Sequence, residues 1–276
     1  MIDAHHHLWD PSRRSYPWMT GAALDPIRHA YTVDDLRAVT KAAGVHATVL
    51  VQTVSSWEET EEFLAAARDE PLIAGVVGWV DLTAPDVAEQ LAVVRESGPL
   101  VGIRHQVEGE PDDEWLLRPD VLRGLAAISA AGLAYDLLVT PAQLPAAASV
   151  AARLPELSFV LDHAAKPPIA AGEWEPWAGA VAALAERENV HCKLSGLVTE
   201  ADWAAWQVGH LQRYVEHVLD AFGPERVLFG SDWPVCELAA SYEVVVDTAV
   251  ELTGSLSDSE RLAVFEHNAR RVYSLS

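Results

Sequence analysis

Eight short apolar runs alternate with longer amphipathic stretches along this chain, and that alternation restricts the fold more than any single motif. The runs cover residues 1–7, 46–53, 72–80, 100–106, 133–139, 157–163, 189–194 and 226–232. Most are nearly continuous Val, Ile and Leu, the pattern of strands buried on both faces. Helix signals fill the gaps. Thr32 with Asp35 forms a capping-box pattern, and Gly44 stops that helix. Ser56 with Glu59 opens the next; Thr83, Pro85 and Asp86 begin a third that ends near Gly98. Pro119 and Gly132 bound a fourth, and Thr140-Pro141 begins a fifth. Residues 175–188, 204–222 and 241–253 supply three more, and Ser257 with Glu260 opens a last, Arg-rich helix. Strand then helix, eight times over, predicts a single-domain (β/α)8 TIM barrel spanning residues 1–276. An open doubly wound sheet is the rival. It usually carries a glycine-rich phosphate loop after its first strand, where this chain has histidines and Trp9. Three long loops, 8–30, 107–118 and 166–174, follow strand C-terminal ends, where barrel enzymes build their sites.

Composition narrows the functions. A net charge of −22 argues against nucleic acid and anionic lipid as partners, and an anionic substrate would need a local basic site. No apolar run is long enough to span a bilayer, and Met1-Ile2-Asp3 enters histidines with no basic-then-apolar leader, so the expected location is the cytoplasm. Cys192 and Cys236 lack CxxC partners and read as ordinary thiols. There is no GxSxG elbow, P-loop or dinucleotide fingerprint, so serine-nucleophile, ATP and NAD chemistry lack their usual motifs.

Five constellations could carry chemistry. In Asp3-Ala4-His5-His6-His7, strand alternation points His5 and His7 one way and His6 the other, so His5 and His7 can share a divalent metal or form a hydrogen-bonded core pair. Phe229-Gly230-Ser231-Asp232 ends the eighth strand, placing a carboxylate that can ligate metal and take a proton from water, or cap a turn. A closed barrel makes the first and eighth strands neighbours, so Asp232 should meet His5 and His7. His163 is a further nitrogen ligand or an electrophile, unless it is a structural histidine held by Asp162. Lys193, inside an apolar strand, is expected to ion-pair with Asp232, bind substrate or cap the barrel mouth. Arg104 offers a fork to a carboxylate or ring oxygen, or a salt bridge to the acidic loop 108–114. Of ten tryptophans, Trp9, Trp18, Trp79, Trp115 and Trp233 fall at or beyond strand ends, where aromatic faces suit sugar rings; Trp174, Trp177, Trp203 and Trp206 read as helix packing.

Together the stretches DAHHHLWDP with a following YPWM, GIRHQVEGEPDDEWLLRP, LDHAAKPPI, CKLSGLVTEADW and VLFGSDWPVC resemble the amidohydrolase superfamily. The likeness is to its amidohydrolase 2 branch and, within that, to the sugar-lactonase group. The resemblance implies a hydrolase that opens a sugar-acid lactone. It implies His5, His7 and Asp232 as the metal set, Asp232 as the proton acceptor for the attacking water, and His163 as the histidine of the DHxxKP motif. Arg104 and Trp115 lie in motifs that face substrate in such lactonases; Trp79 and Lys193 are further candidate substrate contacts. One zinc-like divalent ion, or no metal at all, is compatible with the group. Binuclear relatives carry a bridging Lys or Glu on strand four and a histidine on strand five. Here those strands offer Arg104-His105 and Tyr135-Asp136, which argues against two metals. The rival functions are a decarboxylase of the same branch, acting on an unsaturated or aromatic acid, and a non-catalytic barrel that binds a sugar acid.

Overall fold

The computed structural model describes residues 1–275. Each of the eight apolar runs contains a strand: β1 (Ile2–His6), β2 (Ala47–Val51), β3 (Ile73–Gly78), β4 (Leu100–His105), β5 (Ala134–Leu137), β6 (Phe159–Leu161), β7 (Val190–Leu194) and β8 (Val227–Phe229). All are parallel and lie in chain order in one sheet. The ring closes where the Asp232 N–H donates to the His5 carbonyl at 2.8 Å and the His7 N–H donates to the Trp233 carbonyl at 2.7 Å. The architecture is the expected (β/α)8 barrel.

The barrel helices are α1 (Val33–Ala43), α2 (Trp57–Asp69), α3 (Val87–Glu96), α4 (Pro119–Ala130), α5 (Leu144–Arg153), α6 (Trp177–Ala185), α7 (Val208–Phe222) and α8 (Tyr242–Leu252). Thr32 caps α1 through a reciprocal capping box with Asp35, and Gly44 ends it in the left-handed region. The Ser56 side chain caps α2. The seventh helix starts later than its apolar pattern predicts. Residues 199–206 form turns instead, which frees that segment to cover the barrel mouth.

Two cores result. The larger lies between strands and helices and includes Trp177, Tyr214, Phe159 and Phe229. The smaller fills the ring's N-terminal end, where Ile2, Val49, Val77, Val160 and Leu228 meet Tyr273 and Leu275 from the C-terminal segment. That segment runs as α9 (Asp258–Leu262), a single π turn (Ala263–His267) and α10 (Asn268–Val272). With one end plugged, a ligand enters only from the C-terminal mouth.

Candidate active site

The site starts from an irregularity in β1. Ile2 and Ala4 pack into the inner core, while Asp3 points outward and accepts a hydrogen bond from Tyr242 of α8 at 3.0 Å. The register of β1 on β2 shifts between Asp3 and His6. A bulge breaks strict alternation, and His5 and His7 now turn into the ring. Gly230 makes room for this: a Cβ there would lie 2.7 Å from the His5 Cβ. His7 Nδ1 donates to the Val51 carbonyl at 2.7 Å, which turns its Nε2 into the site, 3.2 Å from His5 Nε2. Burial first, with Lys193 and His163 adding to it, holds His5 well below the ordinary imidazole range despite Asp162, so the ring is neutral.

Asp232 completes the group, with φ at 58°. Its Oδ1 lies 3.7 Å from His5 Nε2 and 3.5 Å from His7 Nε2, and the two nitrogens are 3.2 Å apart. Ligand atoms on a tetrahedral zinc-sized ion are separated by roughly 3.3 Å. The donor set of two imidazoles and one carboxylate therefore fits one such ion. Burial alone would push the Asp232 carboxyl up, but His163, the hydrogen bond and charge of His7, and Lys166 outweigh it, so the group lies below its ordinary value and is ionised at neutral pH. A second cluster of His5, Asp162 and His163 is equally close. Its carboxylate, however, already serves two cations.

His163 stands on a rare backbone feature. His163, Ala164, Ala165 and Lys166 all have positive φ, between 48° and 57°. Four successive L residues in this region form a left-handed turn, which costs roughly 1–2 kcal/mol per residue. Such strain clusters at functional sites. The turn swings His163 toward Asp232, Nε2 to Oδ1 3.9 Å, and brings its Nδ1 to 2.9 Å from the Ser195 hydroxyl. It is Ser195, and not Asp162, that holds this histidine. Gly196 follows at φ +65°, and a Cβ on it would lie 2.7 Å from His163 Nδ1.

Beneath these groups runs a fully buried ionic column. Tyr273 donates to Asp136 on β5 at 2.8 Å, and Lys193 on β7 pairs with both Asp136 (2.5 Å) and Asp162 (3.0 Å). Asp162 also accepts from Arg104 at 3.0 Å and lies 3.3 Å from His5 Nδ1. Two carboxylates and two cations balance. Burial pushes Asp136 up to about 6, against the pull of Lys193; Asp162, with Lys193, His5 and Arg104 around it, is held well below its ordinary value even though burial opposes this. Two expectations are corrected here. Lys193 does not meet Asp232 or line the substrate cavity, because the ring interior supplies two closer carboxylates. Arg104 makes no salt bridge to the acidic loop: its guanidinium is held by Gln52 and Asp162, and its edge still lines the cavity.

Above lies a cavity of about 230 Å³ whose floor carries His7, His163, Asp232 and the edge of Arg104. Trp18, Leu24, Leu138, Trp203, Val235 and Leu238 make it apolar on one side, while Gln106, Glu108, Lys166, Thr199 and Glu200 supply polar groups. Lys166 pairs with Glu108 at 2.5 Å. The aromatic expectations change accordingly. Trp115 stacks on His105 at 4.3 Å and Trp79 donates to the same ring at 3.1 Å, so both build the wall around His105 and neither lines the cavity. Trp203, read from the sequence as helix packing, does line it, because the segment before α7 is not helical.

This arrangement has counterparts. A family model described as amidohydrolase matches residues 2–275. The chain belongs to the amidohydrolase family. Among amidohydrolases it is 41% identical to an L-fucono-1,5-lactonase of Burkholderia multivorans, over 99% of this chain and 96% of that protein. A crystal structure of a B. multivorans amidohydrolase with bound zinc superposes with a TM-score of 0.94 at 40% identity, covering 100% of this chain and 99% of that one. A probable 2-pyrone-4,6-dicarboxylic acid hydrolase of Acinetobacter baumannii shares the fold at TM-score 0.81 and 18% identity, covering 99% of each chain. No helix among the described residues is long and apolar enough to cross a membrane.

Proposed function

We propose that this amidohydrolase opens a sugar-acid lactone. The observation that carries the reading is the 41% identity, over 99% of the chain, to an L-fucono-1,5-lactonase. The site chemistry supports it. Asp232, ionised and at the cavity floor, takes the proton of a water whose oxygen attacks the ring carbonyl. His163, neutral because burial lowers it more than Asp232 and Asp162 raise it, is placed beside that carboxylate to donate to the developing oxyanion. His5, His7 and Asp232 would hold one zinc-like ion, which supplies Lewis acidity and lowers the pKa of water.

The cavity also favours an uncharged substrate. Its two basic side chains, Arg104 and Lys166, are already paired with Asp162 and Glu108. A polyhydroxylated lactone needs polar groups and an apolar wall but no cation. An aromatic acid for decarboxylation would arrive as a carboxylate and meet Asp232, Glu108 and Glu200, which speaks against that rival. The test is a panel of aldono-1,5- and aldono-1,4-lactones followed by acid release at neutral pH, with metal-stripped and zinc- or manganese-loaded protein. Acid release from at least one lactone is expected. Silence across the panel in every metal state, or carbon dioxide release from an unsaturated acid, would overturn the reading.

A further inference from the structure

Two oppositely charged side chains meet on the wall of the cavity. Glu108 sits in the short turn after β4 (Val107–Gly109), and Lys166 ends the left-handed turn after β6. The Lys166 ammonium lies 2.5 Å from a Glu108 carboxylate oxygen, and both residues line the cavity that holds Asp232 and His163. Each backbone is fixed. The Glu108 N–H donates to the Leu138 carbonyl just past β5 at 3.0 Å, and the Lys166 N–H donates to the His163 carbonyl at 2.8 Å. The pair therefore bridges the loops on either side of β5, with its lysine only three residues from His163. Both side chains stay partly open, 30% for Lys166 and 27% for Glu108, so a ligand in the cavity can reach them. An ion pair this open to solvent adds little to stability. Its larger consequence is for the charge that a ligand meets. Glu200 and Asp232 on the same wall are acids, and Arg104 is held by Asp162. Among the described residues, no carboxylate other than Glu108 lies within 4 Å of the Lys166 ammonium.

We propose that Glu108 sets the preference for uncharged lactones: by occupying Lys166 it denies a substrate carboxylate its counter-ion, and without it the same cavity takes lactones that carry one. This rests on the lactonase reading. The discrimination is repulsive as well as competitive. A carboxylated lactone would have to displace Glu108 from Lys166 and then share the cavity with Glu108, Glu200 and Asp232, and such built-in repulsion is an effective source of selectivity. Lys166 is ready for the alternative role. Burial works against its charge, but Glu108 first, then Glu200 and Asp232, outweigh burial and hold the ammonium above its ordinary value.

The experiment uses a matched pair of ligands. D-glucaro-1,4-lactone carries a carboxylate where D-glucono-1,4-lactone carries a terminal hydroxymethyl group. Each is measured as a competitive inhibitor of an aldonolactone that the panel finds turned over. In Glu108→Gln the ratio of the two inhibition constants should shift toward the carboxylated lactone by roughly 10- to 100-fold, the worth of one hydrogen bond to a charged group. Adding Lys166→Met should abolish the shift. Glu200→Gln removes the same charge from the cavity but leaves Lys166 occupied, and should move the ratio by less than about threefold. A pair that merely clamps two loops would weaken both lactones alike and leave the ratio unmoved. The proposal is overturned by an unmoved ratio in Glu108→Gln, by a shift that survives Lys166→Met, or by an equal shift in Glu200→Gln. Wild-type protein inactive on every lactone would instead remove the lactonase reading, and the proposal with it.

Discussion

Asp232 holds the site together chemically. Among the described residues it is the one carboxylate within 4 Å of all three of His5, His7 and His163. Asp232→Asn keeps the side chain's size but replaces a proton acceptor with an amide. We expect kcat to fall roughly 10²- to 10⁴-fold, with thermal unfolding close to wild type and with lactone binding retained. Turnover within threefold of wild type would remove Asp232 from the role of base. The histidines differ in how they are held: His7 by a backbone carbonyl, His163 by Ser195, His5 by the charge column below it.

The left-handed turn at residues 163–166 is the element that sets the site's shape. Nothing in Asp162-His163-Ala164-Ala165-Lys166 announces it, since no glycine marks the positive φ. Short alanines tolerate the region better than β-branched residues do. Ala165 is fully buried with φ at 57°. Ala165→Val should therefore destabilise by about 2–4 kcal/mol, from backbone strain plus overpacking, and should displace His163 and Lys166 together. Chemical denaturation and kcat report the two effects. A fully stable Ala165→Val protein would show that the turn carries no strain.

Across the whole molecule, the ring interior is polar at mid-height and apolar at its plugged end. Asp136, Lys193, Asp162 and Arg104 come from four successive strands or their ends, so the column ties β4 through β7 together. Such a network adds little stability over an apolar core, but losing one member is costly. Lys193→Met leaves Asp136 and Asp162 without their shared cation. We expect a loss of about 3–5 kcal/mol in urea unfolding, and partial recovery when Asp136→Asn is added. A loss under about 1 kcal/mol would mean that the column relaxes without its lysine.

Much of this was open to reading along the chain. Apolar runs, caps and loop lengths are local, and they specify eight strand–helix units because burial and backbone hydrogen bonding act over a few residues at a time. Ring closure then follows from the count, and with it the meeting of His5, His7 and Asp232, whose first and last strands must adjoin. What stayed hidden were choices of partner. Lys193 could have paired with any nearby carboxylate, and Trp203 could have packed on a helix. Each outcome was settled by which side chains the closed ring places face to face. The β1 bulge and the left-handed turn stayed hidden for the same reason: packing around them outweighs the local preference of the residues that form them.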